Sequence, residues 1–415
     1  MMNPSDVRLF FIGSVLPDDP AFHTSAFSRA GNMCQHYLIH GLINAGIHID
    51  KIISVYPIPT FPTTRKLFFR SRSIQFANNL SIKLIPFLNF TPIKQVCFGL
   101  AAFYEIIKWG MTIDKSSQRI VYTFNISVPP GIFVILASKL IGAKVVAMIY
   151  DINVPGETVP RSYTCLLDYW LHRKLLPKYD GLVVITDNIA KDFAPEVPFL
   201  RVEGGIKSDL VDQYSHFDSQ TNCNKDYFTI VAAGGMEEAN GVREILTAFS
   251  LLPGERYRIF IAGDGPLESE VRKAALSDSR INYLGFISFT EVLKLYAKAD
   301  VLVNMRLTKR LNTQYFFPSK IMEYLTTGVP VISTCPGNMA EEYGHFAYLL
   351  HDETPESLAD MIKYIESIPK PECRKRSLSA RQYMVENKTW DAQSRRIADF
   401  LVSNLNGNNE SNNNE

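Results

Sequence analysis

The chain has 415 residues, long enough for two or three domains with substantial cores. A net charge of +1 leaves no global field to recruit nucleic acid, and 46% hydrophobic with 20% charged residues excludes a largely disordered polypeptide. Six scattered cysteines (Cys34, Cys97, Cys165, Cys223, Cys335 and Cys373) form no Cys-x-x-Cys pair, which excludes a cysteine-spaced zinc module and predicts free thiols in a reducing cytoplasm.

In chain order, the first half offers short apolar or β-branched runs as strands at 7–12, 47–55, 80–88, 119–124, 143–150, 181–186 and 199–203. The first run (VRLFFI) stops at Gly13 with no cleavage-site pattern after it, so it reads as a strand and not as a leader. Helical patterns at 28–44, 94–111, 131–141 and 163–176 lie between most of these runs. The cycle restarts with strands at 227–234, 257–263, 281–285, 300–305, 329–333 and 346–350, and beyond Ala359 the pattern is purely helical. Uninterrupted apolar strands joined by helices predict parallel sheets covered on both faces. Two such series predict an α/β fold of two doubly wound, Rossmann-like domains, at 1–206 and 207–385. The polar stretch 207–226 is the seam, a helix at 386–405 around Trp390 is expected to pack back on the N-terminal domain, and the asparagine-rich 406–415 is expected to be a disordered tail. No apolar stretch approaches the ~20 residues needed to cross a bilayer.

Charge is uneven. Between 51 and 104 there is no acidic residue but seven bases: Lys51, Arg65, Lys66, Arg70, Arg72, Lys83 and Lys94. Within 61–76 (FPTTRKLFFRSRSIQF), four of these bases interleave with Phe61, Leu67, Phe68, Phe69 and Phe76. That pattern suits an anionic membrane surface on the inner face of the cell membrane; the competing reading is a basic loop whose phenylalanines are core.

Residues 316–333 (FFPSKIMEYLTTGVPVIS) are the most informative for chemistry. Pro318 suits a first helical turn and Gly328 a helix stop before a strand. At 100° per residue, Ile321, Met322, Tyr324 and Leu325 gather on one side and Ser319, Lys320, Glu323, Thr326 and Thr327 on the other. Ser319 and Lys320 then stand at a helix start, where free N–H groups favour phosphate, with Glu323 about one turn on and able to accept hydroxyls. A solvated face with a weak Lys–Glu pair is the alternative.

This run resembles the donor-nucleotide segment of family 4 glycosyltransferases of the GT-B fold, nearest the branch acting on capsular and exopolysaccharides. VAAGGMEEANGVREILTAF, IAGDGPLESEV and INYLGFISFTEVLKLYAKADVLVNMR precede it in the family's order, and NMAEEYG follows. AGNMCQHYLIHGLINAG, YDGLVVITDNIAKDF and FLRVEGG extend the resemblance into the first half. It implies that Glu323 holds the ribose, that Ser319 and Lys320 lie at the diphosphate, that Gly234 and Gly235 form the glycine turn at the phosphates, and that Phe286 and Ile287 seat the base. Arg306 is expected as a second cation.

Two positions depart from the broader family. Tyr315 stands where a glutamate is usual, and Asn240 precedes Gly241 where a lysine usually stabilises the leaving diphosphate. Lys320, Arg306, Lys309 and Arg310 are the candidate replacements. In the first half, Asp151 ends the strand at 143–150 and is a candidate for orienting the sugar or contacting the acceptor hydroxyl. Gly31 and Asn32 at a helix start, and Glu203, Gly204 and Gly205 at a strand end, are expected near the cleft.

There is no Asp-x-Asp pair, so no metal and no other cofactor is expected; leaving-group charge falls to cations and a helix terminus. His36 and His40 share a helix face without a carboxylate motif, and Glu268 replaces the third glycine of a dinucleotide fingerprint in GDGPLE. The resemblance implies transfer, with retention, of a sugar from a UDP- or GDP-sugar to a saccharide acceptor (expected to be lipid-linked), with domain closure excluding water. A sugar-nucleotide epimerase and a non-catalytic binding subunit are the alternatives.

Overall fold

A computed structural model describes residues 4–22, 24–77, 80–114, 116–125, 128–156, 161–218, 227–309 and 313–403. The asparagine-rich tail, Cys223 and Arg310 lie outside them. The chain divides into two compact units, Met1–Gly204 with Trp390–Glu415, and Gly205–Thr389. The divisions fall at 204/205 and 389/390, not at 206/207 and 385/386. Ile206 N donates to Lys388 O at 2.8 Å and Ile206 bridges Thr389, which ties both segments into the second unit.

The first unit holds β1 (Val7–Gly13), β2 (His48–Ser54), β3 (Phe68–Phe69), β4 (Arg72–Ala77), β5 (Leu80–Leu84), β6 (Phe87–Leu88), β7 (Gln118–Phe124), β8 (Lys144–Ile149), β9 (Gly181–Val184) and β10 (Phe199–Arg201). Eight of them form one sheet in the order β10-β9-β8-β7-β1-β2-β5-β4. All pairings in it are parallel except β4 with β5. Alternate side chains of β1 enter opposite layers. Leu9 and Phe11 join a core with the helices Arg29–Asn44 and Trp390–Ser403, whereas Phe10 meets Trp109 of the helix Ile93–Gly110 at 5.4 Å. On that second face, Ile93–Gly110 packs along the helix Val128–Leu140, which in turn meets the helix Tyr163–Leu175.

The basic window is not a single loop. Phe69 in β3 stacks on Phe87 in β6 at 4.7 Å, and Phe76 in β4 packs against His36 and His40. Phe61, Leu67 and Phe68 are exposed. The run at 80–88 splits into β5 and β6 where Ile85 turns its N–H to Ser54 O.

The second unit is a six-stranded parallel sheet of β11 (Phe228–Ala233), β12 (Tyr257–Ala262), β13 (Ile281–Gly285), β14 (Val301–Asn304), β15 (Val331–Ser333) and β16 (Tyr348–Leu349). Its order is β13-β12-β11-β14-β15-β16, so the winding reverses between β11 and β14. Ligands of open α/β sheets bind at such a reversal, beyond the strands' carboxyl ends. The first unit has its own reversal where β7 and β2 flank β1.

Candidate active site

At the β11–β14 reversal lies a small crevice of about 50 Å³, lined among others by Gly234, Gly235, Asn240, Asn304 and Lys320. Two glycine turns meet closely at Gly234 on its lining. Gly234 follows β11 at φ 134° and Gly263 follows β12 at φ 137°. A β-carbon on Gly263 would overlap Gly234 O, and one on Gly234 would overlap Lys320 Nζ. Only glycine permits both the left-handed backbone and the approach.

Lys320 opens a seven-residue helix, Lys320–Thr326. Its Nζ donates to Ala233 O at the end of β11. Burial lowers the lysine's pKa, with Glu323 pulling the other way. Burial likewise raises the Glu323 carboxyl, opposed by Lys320. Among the described residues no hydrogen bond reaches the Glu323 carboxyl, and the buried Tyr214 hydroxyl near it has no partner either. Ser319 is exposed and caps nothing with its side chain. The apolar side of this helix is buried as expected, but Thr326 and Thr327 are buried with it. Their hydroxyls donate to Met322 O at 2.7 Å and Tyr324 O at 2.6 Å, which removes the cost of hiding them. Tyr324 OH accepts from Ala233 N at 3.1 Å and so fixes the helix to the end of β11.

Asn240 has a role the sequence did not reveal. Its Nδ2 donates to Gly235 O at 2.8 Å, and its Oδ1 accepts from Arg306 Nη1, also at 2.8 Å. Arg306 lies over the Phe316 ring at 4.6 Å, and its buried Nε has no partner among the described residues. Burial lowers its pKa, and Glu237 opposes this. The side chain standing in the usual lysine position thus holds an arginine beside the glycine turn. Lys309 is exposed and turned to Asp352 at 3.3 Å. Phe286 is 81% exposed just past β13, and Ile287 is half-buried beside it.

In the first unit, a crevice of about 290 Å³ opens at the carboxyl ends of β1 and β7, lined by residues that include Gly13, Gly31, Asn32, Gln35, Asn125 and Asp151. Asn125 adopts φ 44°, a left-handed conformation in which asparagine is favoured. Its Nδ2 donates to Asp151 Oδ2 at 3.0 Å, and its Oδ1 accepts from Tyr150 N at 2.7 Å. The surrounding protein raises the Asp151 pKa, with the Asn125 hydrogen bond opposing, although part of the side chain stays open to solvent.

Gly31 and Asn32 both line this crevice. Asn32 is 2% exposed and accepts from Leu16 N–H at 2.8 Å while donating to Leu16 C=O at 3.1 Å, so it shapes the crevice by holding the segment after β1. Gly31 N donates to Ser28 Oγ at 3.1 Å. Glu203 is buried, with its carboxylate 3.2 Å from Arg201 Nε. His36 Nε2 lies 2.6 Å from Leu16 O, and no metal-binding cluster of His, Cys, Asp or Glu occurs among the described residues.

Residues 227–366 match the model of the family described as glycosyl transferases group 1. No curated protein matches the chain. Among solved structures, HepE from Anabaena in complex with UDP is similar at 15% identity and TM-score 0.62, over 95% of this chain and 100% of that one. Sucrose-phosphate synthase from Thermosynechococcus elongatus is similar at 15% identity and TM-score 0.64, over 95% and 98%. The pneumococcal O-GlcNAc transferase GtfA in complex with UDP and GlcNAc is similar at 12% identity and TM-score 0.58, over 96% and 99%. The chain has the GT-B fold of these transferases, with two Rossmann-like units.

Proposed function

We propose that the chain is a retaining family 4 glycosyltransferase that moves a hexosyl group from a UDP- or GDP-sugar to a lipid-linked saccharide in surface or capsular polysaccharide biosynthesis. One observation carries the reading. Lys320 and Arg306 are both desolvated beside the glycine turn, and neither has a carboxylate in salt-bridge contact among the described residues. Their hydrogen-bond acceptors are neutral: a carbonyl for Lys320 and an asparagine amide for Arg306. Desolvated cations are costly without a counter-charge, and a diphosphate supplies one.

Charge developing on the departing diphosphate is stabilised by these two groups, placed before the reaction begins. Glu323, its carboxyl without a hydrogen bond among the described residues and one turn from Lys320, accepts from the ribose hydroxyls. Phe286 and Ile287 offer the base an apolar seat. Asp151 takes the acceptor side, held in place by Asn125. The reading calls on no resident metal or cofactor.

The test is calorimetric titration with UDP, GDP and CDP, followed by transfer of radiolabelled sugar into a lipid extract. One of UDP or GDP should bind, and Lys320→Ala should weaken it by about thirtyfold, the scale of a charge-assisted contact. Equal affinity in the variant would remove the diphosphate assignment. Binding without transfer would favour the non-catalytic reading, and epimerised donor in the absence of acceptor would favour the epimerase.

A further inference from the structure

The three helices on the Phe10 side of the first unit turn apolar rows outward. On Ile93–Gly110, the residues Ile93, Val96, Leu100 and Tyr104 recur at helical spacing and are 42–62% exposed. On Val128–Leu140, the row is Ile132, Leu136 and Leu140, at 48–65%. On Tyr163–Leu175 it is Tyr163, Leu166, Leu167 and Trp170. Each helix buries its other side, and adjacent helices on one sheet face present their outer sides together. Single exposed apolar residues are ordinary; three neighbouring rows are not.

Charge selects the partner. The exposed bases on these helices are Lys108, Lys139, Arg173 and Lys174, of which Arg173 lies over Tyr169 and Phe193 and donates to Asp192 O at 3.3 Å. The three helices carry two carboxylates, Glu105, which is buried between Lys51 and Lys83, and Asp168, which faces His172 at 3.4 Å. A second copy docked through a twofold axis would set this cationic surface against itself. An anionic lipid surface complements it: lysine stems reach up to phosphates while Trp170, Tyr104 and the leucines enter the headgroup boundary. No helix among the described residues is long and apolar enough to cross a membrane, so the face would lie on the bilayer.

We propose that this three-helix face is a membrane-docking surface for anionic phospholipid, more than the 61–76 window alone. It extends the proposed lipid-linked acceptor, yet vesicle binding is read without nucleotide, so either reading can fail by itself.

The experiment is co-sedimentation of the full chain with vesicles of phosphatidylcholine, with and without phosphatidylglycerol, at low and high salt. Binding should require phosphatidylglycerol and weaken with salt. Lys139→Gln with Lys174→Gln should lower vesicle affinity about thirtyfold. Leu100→Glu with Leu136→Glu should abolish it while leaving the melting temperature and nucleotide affinity unchanged, because both side chains are exposed. Equal binding to neutral vesicles, binding that survives the double glutamate variant, or no binding at all would overturn the proposal. So would a dimer in sedimentation equilibrium that Leu100→Glu dissociates without any vesicle binding in the parent chain.

Discussion

Lys320 and Glu323 stand one helical turn apart, and burial acts on them in opposite directions, lowering the lysine and raising the carboxyl. Each attracts the other's charged form, but desolvation is the larger cause in both. In the proposed site the carboxylate accepts ribose hydroxyls and the ammonium faces the diphosphate, so both must be charged. Nucleotide affinity should therefore fall on the acid side at a pH above the ordinary carboxylate value of 4.5, and on the alkaline side below the ordinary lysine value of 10.5. The profile is a bell narrowed from both ends. Glu323→Gln should erase the acid limb, keep the alkaline one, and weaken binding about tenfold, as measured by calorimetry across pH. An acid limb that persists in the variant would belong to another group. These two residues were legible because they share one 18-residue run whose wheel separates polar from apolar. The support for Arg306 was not, since Asn240 lies 66 positions away and only the fold joins them. The internal partners of Asn32 and Glu203 were hidden for a related reason: a polar residue at an element's end can serve the chain's own backbone or a neighbouring arginine, and only the fold shows which.

At the scale of elements, Glu105 fastens the helix Ile93–Gly110 to two strands. Its carboxylate, 5% exposed, meets Lys51 of β2 and Lys83 of β5, the latter at 2.7 Å. Glu105→Ala would strand two half-buried ammonium groups and should destabilise the first unit by roughly 3 kcal/mol, read as a lower urea midpoint. The sign of its pH dependence follows from the same contacts. Despite burial, the two lysines hold the Glu105 carboxyl below its ordinary 4.5, so its stabilisation is complete above that value and disappears as pH falls through the lowered folded-state pKa. The variant should lack this acid-side loss, and an unchanged slope would assign it elsewhere. Helices and buried parallel strands were readable because apolar runs such as that of β1 have few other uses in a chain of this composition. The edge strand β4 was hidden because its basic, polar residues look like loop. The outward rows on Val128–Leu140 were hidden for the opposite reason: a helix apolar all round reads as core, and the sequence does not say which side lacks a neighbour.

For the whole molecule, the division into units makes them unequal in how they depend on the chain. The second is continuous from Gly205 to Thr389 and contains every residue of the proposed donor site. The first is not closed until the helix Trp390–Ser403 returns to it. Trp390, Ile397, Phe400 and Leu401 share one core with Leu9, Phe11 and Leu38, and Gln118 Nε2 donates to Leu401 O at 3.1 Å. At Gly41 a β-carbon would collide with Ser394, so the helix Arg29–Asn44 is shaped to receive this segment closely. Ending the chain at Thr389 withdraws four large apolar side chains from that core. At about 1.5–3 kcal/mol each, the loss is of order 6–12 kcal/mol, comparable to the entire stability of an ordinary domain. The truncated chain should therefore lose the first unit and keep the second. Limited proteolysis should leave a resistant fragment close to 205–389, and calorimetry on that fragment should still detect nucleotide. If residues 5–200 remain protected after truncation, the terminal helix is an accessory and the first unit's core closes without it.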